Sequence, residues 1–364
     1  QIFLARHGKQ VINQAWGSLD GKLPTQVDDL YDVASLTKIL ATVPLLMQDH
    51  QTRGDGGLLT LTMEDLLPHL LGTAVGELSV KDVLAHQSGL PAWIPFFQDG
   101  LDSNGEWKAN YLQSERSDSH PIQVAQHVYA GRHWPDSIQE QIASLTMLSQ
   151  TYRYSDLGYY LFQRYLESKH GMGLDAIIAS AWFEPMGIGM TYLPLDHGVD
   201  LMTIAPTEHD ELFRKQVIRG TVHDPGAAIM GGVGGHAGLF AKASDVARMM
   251  QLYLDGGSYM GQSYVDEATL KAFTACVACE DGNRRGLGFD RPQEDGPGPT
   301  CGCVSPLSFG HTGFTGTFAW ADPETGTVLV FLSNRVYPDA DNWKISHMDI
   351  RTRIQEVVQQ SVLN

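Results

Sequence analysis

The segment Ser35-Leu36-Thr37-Lys38 decides how the rest of this 364-residue chain is interpreted. It stands at the start of a predicted helix over residues 35–50, which Ser35 caps and Pro44 kinks or breaks. Residues three apart on a helix share a face, so the Ser35 hydroxyl and the Lys38 ammonium are expected to be neighbours. A serine becomes a nucleophile when a base takes its proton, and a lysine in a partly dry site can share that task. The alternative is a helix cap followed by a solvated lysine.

Two motifs further along the chain supply groups that could complete such a site. Tyr154-Ser155-Asp156 brings a tyrosine, which ionises more easily near an ammonium and can then act as a general base. His311-Thr312-Gly313 directly precedes a predicted strand, where a glycine lets a substrate backbone approach closely. The alternatives are a packed core tyrosine and an exposed histidine at the end of a strand.

Hydrophobic periodicity predicts strands at both ends of the chain and helices between them. Residues 1–17 are expected to form a hairpin, 318–321 and 328–332 adjacent strands, and 347–361 a closing helix. Further helices are predicted at 78–87, 122–130, 157–169 and 244–255, and an exposed loop at 280–300. We therefore predict an α/β (α+β) fold with an antiparallel sheet flanked by helices. Residues 1–58 and 233–364 would carry the sheet, residues 59–232 would form an inserted helical subdomain, and the active site would lie between them.

Composition limits the possible partners and says little about location. The 25 basic and 42 acidic residues give a net charge of −17, which disfavours nucleic acid and anionic membranes as partners. No apolar run approaches the ~18 residues that span a bilayer. The chain opens with Gln1 rather than Met, which is compatible with a removed targeting segment or a fused upstream domain.

The four cysteines fall in one segment, as Cys276-x-x-Cys279 and Cys301-x-Cys303. Disulfides within these pairs are expected in an oxidising compartment. A four-thiolate zinc site also fits the spacing, although the second pair is tighter than usual, and free thiols are the third possibility. His209, His223 and His236 lack the close spacing of a metal motif, so they are interpreted as structural. We expect no metal and no cofactor.

The three motifs, in this order and at these separations, resemble the serine β-lactamase and DD-peptidase superfamily. The branch is the one that holds class C β-lactamases, low-molecular-weight penicillin-binding proteins and family VIII carboxylesterases. Residues 83–91 and 235–240 resemble further segments of that branch. Residues 204–208, 222–227 and 332–338 resemble a Bacteroidetes-type group in which this domain is often fused behind a family 3 β-N-acetylglucosaminidase. That likeness implies an upstream domain, a periplasmic or cell-envelope location and a small-molecule or peptidoglycan-derived substrate.

The resemblance also implies roles for individual residues. Ser35 would be the acylated nucleophile, Lys38 its proton partner and Tyr154 the base, while His311 stands where a lysine is often found. The backbone N–H groups of Ser35 and Phe314 would form the oxyanion hole. The substrate-binding residues would be Trp93, Asp156, Thr312 and Gly313.

Two departures from the branch bear on the substrate. Asp156 stands where asparagine is commoner, and Trp93 stands where class C β-lactamases carry glutamine. A carboxylate cannot donate a hydrogen bond and an indole offers one donor, so the acylamido group of a penicillin would lose partners here. The sequence therefore predicts a serine hydrolase for small esters or for peptide-like amides, including ones with a basic group facing Asp156. A weak class C-like β-lactamase and a non-catalytic penicillin-binding sensor are the alternatives.

Overall fold

A computed structural model describes residues 1–54, 56–146, 151–293 and 298–363 of the chain. Its strands are β1 Ile2–Arg6, β2 Lys9–Gln14, β3 Tyr31–Asp32, β4 Leu112–Gln113, β5 Ile122–Ala125, β6 Val128–Ala130, β7 His209–Asp210, β8 Gln216–Val217, β9 Phe240–Ala241, β10 Ser258–Tyr259, β11 Gln262–Ser263, β12 Phe309–Thr312, β13 Phe318–Asp322 and β14 Thr327–Phe331. Its α-helices are α1 Val43–Thr52, α2 Met63–Leu66, α3 Val80–Leu84, α4 Trp134–Ala143, α5 Leu157–His170, α6 Leu174–Ile178, α7 Glu184–Met186, α8 Pro225–Ile229, α9 Ala243–Leu254, α10 Glu267–Thr274, α11 Lys344–His347 and α12 Ile350–Leu363.

The main sheet joins the two ends of the chain. Its order is β12-β13-β14-β1-β2, and every neighbouring pair is antiparallel. Ile2 pairs with Phe331, which places the first strand beside the last. The N-terminal ammonium then donates to the Leu332 carbonyl at 2.8 Å, so the chain start is fixed against the end of β14. The predicted antiparallel sheet is therefore confirmed, together with the hairpin at its edge.

Side chains alternate between the two faces of this sheet. On one face Phe318 and Trp320 cluster with Leu4, Leu329 and Val358 of α12. The alternate residues, among them Ala319, Ala321, Val328 and Val330, join the main core, where α9 packs against β1, β13 and β14. Because successive residues of a strand point to opposite faces, the same strands bury both layers. The sheet thus lies between α9 and α12, with β12 presented at its far edge.

The segment that begins with Ser35 is helical but not uniform. The helix begins at Leu36, winds as a wider π-helical turn over Lys38–Thr42 and continues as α1. Pro44 follows the π-helical turn directly, so the winding of the helix changes beside the proline, and the helix continues without a break. Leu36, Ile39 and Leu40 are fully buried, which anchors the segment in the core.

Two predictions of local structure are wrong. Residues 122–130 form the hairpin β5–β6 and not a helix, because β-branched Ile122, Val124 and Val128 fit a pleated surface and His127 takes a left-handed turn conformation with φ 54°. Within the expected exposed loop at 280–300, residues 285–290 are buried. Residues 294–297 of that loop lie outside the described residues. The region 59–232 contains small sheets as well as helices, and its separation as a subdomain stays a prediction.

The cysteines form two disulfides, Cys276–Cys279 and Cys301–Cys303. The spacing of the cysteines left disulfides, a zinc site and free thiols open, and the structure has the disulfides. Across the described ranges, no helix is both long enough and apolar enough to cross a bilayer.

Candidate active site

Ser35 stands at a constrained turn between strand β3 and the buried helix. Ala34, immediately before it, has φ 48°, a left-handed conformation that is uncommon for any residue other than glycine. The Asp32 carboxylate accepts the Ala34 N–H at 2.8 Å, and the Thr317 hydroxyl donates to the Val33 carbonyl at 2.9 Å. Strained conformations persist where the surroundings over-determine them, and such positions cluster at functional sites. The turn presents the Ser35 side chain to two adjoining cavities.

The structure brings the Ser35, Lys38 and Tyr154 side chains together. Lys38 Nζ lies 2.9 Å from Ser35 Oγ, one helical turn along the same segment. The Tyr154 hydroxyl donates to the same Oγ, also at 2.9 Å, from the loop that precedes α5. Lys38 is fully buried, whereas Ser35 is half-buried and open to both cavities. A hydroxyl with two donors of this kind is placed for proton transfer and for stabilising its alkoxide.

The Lys38 ammonium faces three oxygens. It donates to Ser35 Oγ and to the His236 carbonyl, at 3.2 Å, and it forms an ion pair with Asp156 Oδ1 at 2.7 Å. Asp156 was expected to face a basic group of the substrate. Its carboxylate is instead paired with Lys38 within the active site. The Asp156 side chain also lines one of the cavities.

Tyr154 is enclosed by charged and aromatic groups. The Arg285 guanidinium lies 4.9 Å from its ring centroid, and the His86 ring lies 4.5 Å from it. Burial, with the nearby Asp156 carboxylate, raises the pKa of Tyr154 well above its ordinary value. The expectation that this tyrosine ionises more easily than usual is therefore wrong for the free protein, because burial and the Asp156 carboxylate outweigh the nearby Arg285 guanidinium. The resting Tyr154 is a neutral hydrogen-bond donor.

His311 is buried and neutral and not an exposed cation. Its Nδ1 lies 2.6 Å from the Thr312 carbonyl and therefore donates, which leaves Nε2 to accept from Arg285 Nη1 at 3.2 Å. Burial and the charge of Arg285 lower the pKa of His311 to about 3. Arg285 also donates to the Tyr152 hydroxyl and the Asp290 carboxylate. The positive charge at this strand is thus carried by Arg285.

Thr312, Gly313 and Phe314 form the rim of the site next to Ser35. A Cβ on Gly313 would lie 2.0 Å from Thr317 Oγ1 and 2.6 Å from the Val33 carbonyl, so internal packing already requires glycine there. The backbone N–H groups of Ser35 and Phe314 have no acceptor within the described part of the chain. Both residues line both cavities, so these two donors are available for an oxyanion.

Two cavities of different chemistry meet at Ser35. The larger, about 480 Å³, has an apolar wall that includes Trp93, Phe97 and Phe314. Trp93 is 45% exposed and packs against Phe97 with ring centroids 6.3 Å apart. Asp32, Asp156 and Asp224 also line it, and Asp224 accepts from His236 at 2.9 Å. A cavity of this volume has room for a small acyl group or a short peptide segment.

The second cavity, about 280 Å³, is lined by cationic side chains. Arg285, Arg335 and Arg351 contribute to it, together with Trp343 and Ser346. The Arg335 guanidinium lies between the Phe314 ring, at 4.5 Å, and the Trp343 ring, at 4.0 Å. Its Nη1 donates to two carbonyls, whereas its buried Nη2 has no partner among the described residues. Such a donor is suited to an anionic group, because guanidinium and carboxylate geometries match.

Sequence reasoning missed Arg285, Arg335, Arg351 and His86. Arg285 lies in the segment that was expected to be an exposed loop, and the apolar run Gly286-Leu287-Gly288-Phe289 was the signal for its burial. His86 turns with φ 57° and accepts the Ser155 N–H at Nδ1, which fixes the loop that carries Tyr154. No group of three or more His, Cys, Asp or Glu side chains suited to a metal ion occurs in the residues that the structure describes.

Comparison with known proteins gives a consistent set of similarities. The model of the family described as Beta-lactamase matches residues 1–348. A protein of Escherichia coli O157:H7 named "Putative D-alanyl-D-alanine carboxypeptidase" is 30% identical over 384 residues, which cover 95% of this chain and 81% of that protein.

Two crystal structures show the same fold. A penicillin-binding protein homologue from Caulobacter crescentus superposes with a TM-score of 0.63 at 19% identity, covering 92% of this chain and 85% of its own. A class C β-lactamase from Rhodobacter sphaeroides superposes with a TM-score of 0.63 at 16% identity, covering 97% and 93%. The sheet and its flanking helices are therefore those of the serine β-lactamase and DD-peptidase fold.

Proposed function

The chain belongs to the Beta-lactamase family, and we propose that it is a serine hydrolase of the carboxypeptidase type. It would act through an acyl-serine on peptide-like substrates whose leaving group carries a free carboxylate. The observation that carries this proposal is the cationic cavity with Arg285, Arg335 and Arg351 directly beside Ser35. A D-alanyl-D-alanine terminus, as in the name of the Escherichia coli relative, has this chemistry.

In the proposed reaction Tyr154, in its phenolate form, takes the Ser35 proton, and Oγ attacks the substrate carbonyl. The N–H groups of Ser35 and Phe314 stabilise the resulting oxyanion. Tyr154 then gives the proton to the leaving amine, the C–N bond breaks and the acyl-serine forms. Water attacks the acyl-serine by the same route, with Tyr154 again accepting a proton, which regenerates Ser35 and releases the acid.

The two cavities meet at Ser35, so we propose that they hold the two parts of the substrate on either side of the scissile bond. The apolar cavity with Trp93 and Phe97 would hold the acyl part, and the cationic cavity would hold the leaving group and its carboxylate. A carboxylesterase is the second candidate, because the apolar cavity also suits a small acyl group and the Lys38-bound Asp156 offers no amide donor. Tyr154, in contact with Ser35, favours turnover over the sensor alternative.

A matched substrate pair tests the proposal. An N-acylated peptide ending in D-Ala-D-Ala is compared with the same peptide whose terminus is a carboxamide. We expect the free acid to have the higher kcat/KM by about tenfold or more, since charge-assisted hydrogen bonds contribute about 1.5–3 kcal/mol. Arg351→Gln should remove much of that preference. Arg353→Gln, two residues along the same helix and exposed, is the matched control and should keep it. Equal kcat/KM values for the free-acid peptide and the carboxamide peptide would refute the carboxypeptidase proposal and favour the carboxylesterase.

We propose a periplasmic or cell-envelope location on the basis of this substrate class and the two disulfides. Fractionation of cells that produce the full-length natural protein, followed by thiol labelling under denaturing conditions, tests it. A cytoplasmic protein with four reactive thiols would contradict it.

A further inference from the structure

The Cys276–Cys279 disulfide lies on a short strand-like segment that pairs with the segment carrying Arg285. The two residues between the cysteines, Val277 and Ala278, make this pairing. The Val277 N–H donates to the Arg285 carbonyl at 3.1 Å. Ala278 forms an antiparallel bridge with Asn283, whose N–H donates to the Ala278 carbonyl at 3.1 Å. The disulfide therefore brackets the two residues against which the backbone of Arg285 is aligned.

Asn283 fastens the same hairpin to the active-site side of the molecule. It is fully buried, and both ends of its side chain are hydrogen-bonded. Its Nδ2 donates to the Ala85 carbonyl at 2.9 Å and to Gln87 Oε1 at 2.8 Å. Its Oδ1 accepts the Arg285 N–H at 3.1 Å. Ala85 and Gln87 flank His86, so the hairpin is held between the disulfide on one side and the turn of His86 on the other.

Arg285 is the residue through which this hairpin reaches the active site. It is 6% exposed and lines the cationic cavity. Its N–H groups donate to the Tyr152 hydroxyl at 3.1 Å and to the Asp290 carboxylate at 3.2 Å, and Nη1 lies 3.2 Å from His311 Nε2. These contacts orient the guanidinium, whereas the position of the Arg285 backbone depends on its pairing with Val277.

The disulfide is accessible to solvent, although Arg285 is not. Cys279 is exposed and Cys276 is half-buried, so a soluble dithiol can reach the S–S bond. In the reduction this bond breaks and two protein thiols form, while the dithiol supplies both electrons and both protons and becomes a disulfide itself. Residues 277 and 278 are then held by hydrogen bonds alone, and hydrogen bonds near the surface open more readily than a covalent link.

We propose that the Cys276–Cys279 disulfide is a positioning element for Arg285, and that its reduction weakens the binding of a substrate carboxylate beside Ser35. The inference rests on the proposed function, since it takes a carboxylate as the partner of the cationic cavity. A disulfide that only stabilised the fold would affect every substrate alike. A displaced Arg285 lowers the turnover of carboxylate-bearing substrates more than that of matched neutral ones.

Two double variants separate the two disulfides. Cys301→Ser/Cys303→Ser keeps only the Cys276–Cys279 bond, and Cys276→Ser/Cys279→Ser keeps only the other. The Cys301–Cys303 bond is a matched control, because it also closes a very short loop. The Cys301 N–H donates to Gln355 of α12 at 2.9 Å, and not to the segment that carries Arg285.

The enzymatic measurement is the kcat/KM of an N-acylated D-Ala-D-Ala peptide divided by the kcat/KM of its carboxamide. In Cys301→Ser/Cys303→Ser, reduction with dithiothreitol should lower this ratio by about threefold or more, chiefly through a higher KM for the free acid, because a charge-assisted contact is weakened. Reoxidation with oxidised glutathione should restore the ratio. In Cys276→Ser/Cys279→Ser the ratio should be low at the outset and should not respond to dithiothreitol.

Hydrogen exchange measures the positioning without any substrate. Amide exchange of peptides that cover residues 277–290 is followed by mass spectrometry in oxidised and reduced Cys301→Ser/Cys303→Ser. We expect exchange of these amides to become about tenfold faster on reduction, because the hairpin opens more often. Peptides from β13 and β14 should keep their protection. If Cys276→Ser/Cys279→Ser does not fold, the reduced form of the other variant supplies the test alone.

The outcomes separate this inference from the proposed function. An oxidised protein with no preference for the free acid would refute the carboxypeptidase proposal, and hydrogen exchange would still decide whether the disulfide positions Arg285. Unchanged exchange after complete reduction, established by thiol counting, would overturn the positioning role. So would a reduced protein that keeps its full preference for the free acid. An equal loss of activity on both peptides would also overturn it, since that result marks a general loss of stability.

Discussion

The hydroxyl of Tyr154 lies 2.9 Å from Oγ of Ser35, although the two residues are 119 positions apart in the chain. The contact depends on the helical segment that begins after Ser35 and on the loop that His86 fixes through the Ser155 N–H. It gives Ser35 a partner that can accept a proton once it is ionised.

Tyr154→Phe should reduce kcat by about 10²–10⁴-fold and change KM little, because it removes a positioned acid–base group and keeps the ring. The matched control is Tyr159→Phe. Tyr159 lies near Lys38, with Nζ 5.2 Å from its ring centroid, but its buried hydroxyl makes no hydrogen bond in the described residues. The control should keep near wild-type kcat. Steady-state kinetics on one substrate give kcat and KM for both variants. Equal effects of the two substitutions would show that Tyr154 only fills space.

Activity should rise with pH through the neutral range and continue to rise above about pH 9. Burial raises the pKa of Tyr154, and the base form is the phenolate, so the active fraction increases as pH rises. His311 should contribute no limb between pH 5 and 8, because its pKa is lowered to about 3. The dependence of kcat/KM on pH measures the alkaline rise and the absence of a His311 limb. An optimum near pH 6 with loss of activity above it would contradict the assignment of Tyr154 as the base.

Short-chain p-nitrophenyl esters should be hydrolysed with a higher kcat/KM than nitrocefin. The Asp156 carboxylate is bound to Lys38 and donates no hydrogen bond, so the acylamido side chain of a β-lactam lacks an amide partner there. Parallel assays on one enzyme preparation compare the two. A value for nitrocefin that is tenfold or more above the ester would show that the substrate assignment is wrong.

His311→Lys should destabilise the fold by about 2 kcal/mol or more. The substituted ammonium would lie beside the buried Arg285, whose Nη1 now donates to His311 Nε2 at 3.2 Å, and a buried like-charge contact is costly. His311→Gln retains an acceptor for Arg285 and should cost less. Urea unfolding of the two variants gives the difference, and equal stabilities would mean that Arg285 is not held by this histidine.

The main features of the fold and the three motif positions could be predicted from the sequence. Strand alternation at residues 318–332 and the helix after Ser35 have strong periodic signals, and the ordered motifs resemble a known superfamily. The hairpin at 122–130 was missed because its strands are short and its turn has no glycine, so periods of 2 and 3.6 are hard to distinguish.

The electrostatic partners of the site could not be predicted in the same way. Arg285 and Asp290 lie on an irregular segment, where burial depends on long-range packing and not on local pattern. The contact between Asp156 and Lys38 joins residues from two distant segments, so only the folded chain shows that the carboxylate faces the lysine. The substitution of aspartate for asparagine was visible in the sequence, but its consequence was not.

Trapping of the acyl-enzyme tests the central claim most directly. The protein is mixed with an ester or peptide substrate, quenched in acid during turnover, and examined by intact-mass and peptide-mapping mass spectrometry. We predict a mass increase equal to the acyl group on the peptide that contains Ser35, and none in Ser35→Ala, whose activity should fall by more than about 10³-fold. An acyl group on another residue, or a Ser35→Ala variant with activity within tenfold of the wild type, would contradict the assignment of Ser35 as the nucleophile.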